Sequence, residues 1–100
     1  MSASFTFKIL ACQNWNIHDD NVDVKIFVER LGRFAATFFT LRNIELLFEK
    51  NKLTGECASG TYFWASEMII VQDLEIETIR VTIENLLNNR QFESVCLRLS

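Results

Sequence analysis

His18 is the only histidine in the 100-residue chain, and Asp19, Asp20 and Asp23 follow it closely. One imidazole and several carboxylates are the donor types of a metal site. Such a site needs about four ligands that converge, and these all come from one short stretch. The stretch also lacks the alternating acids, central glycine and closing glutamate of a calcium loop. It reads as a solvated acidic loop, and no metal is expected. A cysteine–histidine nucleophile pair would draw on Cys12, Cys57 or Cys96. It would also need an orienting third group and an oxyanion site, and no sequence context supplies them. Glu67 stands among Trp64, Met68 and Ile69. Buried there it would suit acid–base work; on the wet face of a strand it is ordinary polar alternation, which is the reading preferred. Gly55 and Gly60 sit in no phosphate-cradling frame, and the serine of ASGTY is not in a nucleophile elbow. The chain is therefore not expected to be an enzyme, and no cofactor is expected.

Charge and thiols narrow the remaining classes. The formal net charge is −3, and ten basic residues are scattered among thirteen acids. Binding to phosphates needs clustered Lys and Arg, so no nucleic acid is expected. The three cysteines are far apart and odd in number, unlike the dense even set of a small secreted domain. They read as reduced thiols of a cytoplasmic protein. Cys12 and Cys96 lie in apolar runs and are expected in the core. The start, MSASFTFKIL, has no basic stretch followed by a long apolar one, and the apolar runs are too short to span a membrane.

The elements follow from periodicity. Phe5, Phe7, Ile9 and Ala11 alternate with Thr6, Lys8 and Leu10, the period of a strand. Residues 13–21 are rich in Asn and Asp, which favour turns, and form a loop. Val22, Val24, Ile26 and Val28 alternate with Asp23, Lys25 and Glu29, so a second strand has one covered and one mostly wet face. Gly32 permits a tight reversal into a third strand over 33–40, giving an antiparallel hairpin. A helix capped by Thr40 or Asn43 runs to about Lys52, with Ile44, Leu47 and Phe48 as its apolar stripe and Gly55 closing it. Residues 61–72 are dense in aromatic and β-branched types and read as a fourth strand. Asp73 then caps a helix with Ile76, Ile79, Ile83, Leu86 and Leu87 on one side, and residues 91–99 alternate as a fifth strand. The order β-β-β-α-β-α-β predicts an α+β fold in one domain, residues 1–100. Its layers are a mixed, mainly antiparallel five-stranded sheet and two helices on one face. The stretch from the fourth strand to the fifth has the crossover that lets strands run parallel.

Such a sheet leaves its second face open. With Phe63 turned inward, Tyr62 and Trp64 would stand on that open face, enlarged by Phe27, Leu31 and Phe39. The chain has more large apolar residues than two short helices cover, which marks a partner surface. A second contact is the loop, where an exposed Trp15 beside His18, Asp19 and Asp20 would offer an aromatic anchor and charge for a basic cleft. The expected function is a protein–protein interaction module. Within that class it is a small inhibitor or immunity-type protein masking a larger, basic protein. One alternative is a ligand-binding or enzymatic homodimer with a pocket near Tyr62, Trp64 and Glu67. The other is a structural homo-oligomer that buries the open face against its own copy.

Overall fold

The structure, a computed structural model, describes residues 4–11 and 14–99. Cys12, expected in the core, lies outside them. In chain order the elements are β1 (Phe5–Leu10), β2 (Asn21–Val28), β3 (Gly32–Thr40), α1 (Leu41–Thr54), α2 (Glu56–Gly60), β4 (Met68–Val71), α3 (Ile76–Asn88), α4 (Phe92–Val95) and β5 (Leu97–Arg98). The described residues form a five-stranded, mainly antiparallel sheet with helices, the α+β class read from the sequence.

The alternation of β2 decides the layout. Val22, Val24, Ile26 and Val28 are all buried, and their β3 partners are Phe38, Ala36, Phe34 and Gly32. β1 adds Phe5, Phe7 and Ile9 to the same face through its antiparallel register with β2. α3 covers this face with Ile79 and Ile83, and Leu74 and Phe92 complete the core. Phe92 meets Phe34 edge-on at 4.8 Å.

One edge of β3 is taken by β2. The other is shared: β4 runs parallel along Thr37–Thr40, and β5 runs antiparallel along Phe34 and Ala35. The parallel crossover is thus the β3–α1–β4 segment and not the stretch between the fourth and fifth strands. The cause lies after α3. Arg90 takes a left-handed φ of 58° and Phe92 turns into the core, so the chain re-enters as the short helix α4 and only two residues remain to pair as β5. The predicted nine-residue last strand is corrected accordingly.

The helix ends follow their local chemistry. Thr40 Oγ1 accepts from the Asn43 amide at 3.1 Å and caps α1. Gly55, at φ 86°, ends it by donating to the Asn51 carbonyl, the left-handed stop that glycine adopts without steric cost. At α3 the cap position is Glu75, so Asp73 is not the cap residue itself. Its Oδ1 accepts instead from the Glu75 amide and the Thr78 hydroxyl, and these two bonds hold its carboxyl below the usual range. That contribution is present at neutral pH and is lost as pH falls through the carboxylate range.

Trp15 ties the loop before β2 to this frame. Its Nε1 donates to the Leu74 carbonyl at 2.8 Å, and the Leu74 amide donates to the Ile17 carbonyl at 2.7 Å. Trp15→Phe removes the donor and part of the fused ring that packs on the core. It is expected to cost about 1 kcal/mol, read in urea unfolding as a lower midpoint at unchanged slope.

Candidate functional site

The acidic loop is occupied by its own fold. Asp20 accepts from the amides of Asn16 (3.1 Å) and Asn21 (2.8 Å), and its backbone exchanges hydrogen bonds with Thr40. Asp19 is half-buried, and its Oδ1 meets no donor among the described residues. His18 is exposed; its amide donates to Asn16 Oδ1 at 3.0 Å. Trp15 packs against the core and is not the exposed anchor that would face a partner. The loop is therefore a cap on the sheet and not the exposed contact expected from its sequence. Among the described residues no three His, Cys, Asp or Glu side chains group to hold a metal ion.

The aromatic run is not strand. Residues 62–65 are irregular, Ser66 and Glu67 form a turn, and β4 begins only at Met68. Glu67 has a φ of 49°, a left-handed conformation that breaks an extended run. The in–out alternation survives in the loop. Phe63 turns in against Phe39 at 5.5 Å and Phe48 at 6.4 Å, while Tyr62 and Trp64 stand out in solvent. Those two side chains project from the loop and not from a strand, so they do not line the sheet as expected. Phe39 is buried beneath Phe63, and Leu31 is half-buried against the core; neither belongs to an exposed patch. Glu67 is half-buried and accepts from the Ser66 hydroxyl. Its charge reaches Cys96, whose thiol is pushed up to about 11, chiefly by burial and then by that carboxylate.

The open face of the sheet is assembled by register. Side chains directly opposite on paired strands share a face, so the face away from α3 can be followed row by row. Leu97, Ala35, Lys25 and Lys8 form one row across four strands. Arg33, Phe27 and Thr6 form the next, with Leu99 beside Arg33, whose carbonyl accepts from the Leu99 amide at 2.7 Å. On the other side Met68, Thr37, Asp23 and Leu10 align, then Ile70 and Phe39. Leu10, Phe27, Ile70, Leu97 and Leu99 are each 43–53% exposed. A groove of about 220 Å³ runs between these rows, its walls including Lys8, Lys25, Phe27, Arg33 and Leu99. None of Tyr62, Trp64 and Glu67 lies in that wall.

Lys8 and Lys25 are direct cross-strand partners. Like charges in that position repel, and among the described residues neither lysine has a carboxylate within 4 Å. The nearest acid of the face, Asp23, accepts from the Thr37 hydroxyl at 2.7 Å. Of the residues that make this surface, sequence reasoning picked out only Phe27. Lys8, Lys25, Arg33, Leu97 and Leu99 become neighbours only through strand pairing. Comparison with protein-family models, with curated proteins and with solved structures finds no match to this chain.

Two outcomes test this geometry. Lys8→Glu exchanges a repulsive pair for an attractive one and should raise stability by roughly 0.2–1 kcal/mol, measured by urea unfolding at low salt. Cys96 gives a pH signature. Its folded pKa lies above its unfolded value of 9.0, so its contribution is complete below pH 9.0 and is lost as pH rises toward about 11. Cys96→Ala should remove that part of the alkaline decline.

Proposed function

We propose that this chain is a protein-binding module that docks through the open face of its sheet and thereby masks a larger protein, as an inhibitor or immunity protein does. The carrying observation is that β1, β2 and β4 each place a half-exposed aliphatic or aromatic side chain on one face, joined by Leu97 and Leu99 at the β5 end. Isolated surface apolar residues need no explanation, but a set gathered on one face favours a partner. Phe27, in the row beside the β2–β3 turn, has the rigid aromatic character of an interface anchor. The acidic loop gives weaker support for a basic partner, because Asp20 is held by the fold and Trp15 is turned inward. The homo-oligomer reading is disfavoured by Lys8 and Lys25, since a two-fold contact centred on this face would set those cations against their own copies.

Phe27→Asp puts a charge in the groove wall at a position already half in water, so the fold should persist. In quantitative affinity capture from native cytosol, one stoichiometric protein should be retained by the unaltered chain. The same protein should be retained by Leu53→Asp, a control on α1 outside the groove wall, where the side chain is 90% exposed. Phe27→Asp should lose it by at least about tenfold. Equal capture by Phe27→Asp refutes docking through this face. A concentration-dependent dimer in sizing experiments, abolished by Phe27→Asp, would install the self-interface in its place.

A further inference from the structure

We infer that the occupant of this face is an acidic, partly apolar segment of another protein, its carboxylates set over the Lys8–Lys25 pair and an apolar side chain lodged between Phe27 and Leu99. The inference rests on the docking-face reading and adds the chemistry of the partner. It starts from a local cluster of cations. The chain carries a net charge of −3, yet the groove wall holds Lys8, Lys25 and Arg33. Asp23, two residues along β2 from Lys25, is on the same face and accepts from the Thr37 hydroxyl. Lys25 sits directly opposite Lys8, and Arg33 is a diagonal neighbour of Lys25 across the β2–β3 pair, within reach of a long side chain. An anion arriving above Lys8 and Lys25 removes their mutual repulsion as it binds, so its contact is stronger than a single surface ion pair.

The same rows exclude other occupants on physical grounds. A second copy meeting its twin here brings cations onto cations. A basic partner meets the Lys8–Lys25 pair. A nucleic acid finds phosphate contacts at Lys8 and Lys25, but those are two cations and not the run of Lys and Arg that tracks a phosphate backbone. Its bases would find one exposed aromatic, Phe27, flanked by leucines and not by a second stacking platform. A protein segment that alternates acids with aliphatic residues matches both the cations and the leucines.

The test uses fluorescence anisotropy with a labelled peptide of alternating glutamate and leucine, at low and high ionic strength. Matched probes are a lysine–leucine peptide and an oligothymidylate. The unaltered chain should bind the acidic peptide, less tightly as salt rises. Lys8→Glu should weaken that binding by at least about tenfold while the protein becomes more stable, a combination that a purely structural role for Lys8 does not produce. Lys25→Gln gives a second variant without charge reversal and should weaken binding in the same direction. Lys50→Glu, on α1, should leave it unchanged. Undiminished binding by Lys8→Glu and Lys25→Gln, or preference for the lysine–leucine peptide or the oligothymidylate, overturns the inference. Loss of peptide binding in Phe27→Asp but not in Lys8→Glu keeps the docking face and removes the acidic occupant; retention in both removes the face as well.

Discussion

The register between β2 and β3 is the constraint on which the other elements depend. It sets Val22, Val24 and Ile26 against Phe38, Ala36 and Phe34, and burial of this set favours one pairing strongly. A slip by one residue would carry every one of those side chains to the opposite face, setting Asp23 and Lys25 beneath α3 and the valines in water. With that register fixed, β3 delivers Thr40 to cap α1 and leaves one free edge nine residues long. That edge is long enough for β4 and β5 to share, one parallel and one antiparallel. The parallel half is reached through the α1 crossover, and the antiparallel half only after β4, α3 and α4.

Local pattern carried the reading where a single face decides the residue. The alternations of β1 and β2, the Thr40 cap and the Gly55 stop are properties of a few consecutive residues, and all are present. Reading failed where two periods compete. In residues 91–99 the polar–apolar alternation suggests a strand, yet Phe92, Val95 and Cys96 are also spaced as one helical face. The core takes Phe92 and Cys96 together, which a strand could do only at the expense of Val95 and Leu97. In residues 61–67 β propensity is high, but a strand must have an edge to pair with. The free edge of β3 in that region begins at Thr37, whose amide donates to the Glu67 carbonyl. The preceding aromatics have no partner strand, and Phe63 is drawn instead to Phe39 and Phe48.

The candidate site was the least legible part, for a related reason. Lys8 and Lys25 are seventeen positions apart and each reads as the polar half of an alternating strand. Only the β1–β2 pairing makes them neighbours. The loop residues Trp15, Asp19 and Asp20 were conspicuous because they are clustered in sequence, and the structure shows that clustering serving the fold, through the bonds to Leu74, Asn16, Asn21 and Thr40.

A lysine on an edge strand has a second physical use, since it discourages another chain from adding to the open edge. That accounts for Lys8 on β1, but not for Lys25. β2 has strands on both sides, so it has no edge to guard. A neutral or acidic residue at position 25 would be less costly opposite Lys8. Retaining two cations there lowers stability, and such local costs are tolerated where a surface is shaped for contact and not for the isolated fold. For the acidic segment proposed above, Lys8 and Lys25 would supply attraction at short range, and burial against Phe27, Leu97 and Leu99 would supply the apolar part of the contact.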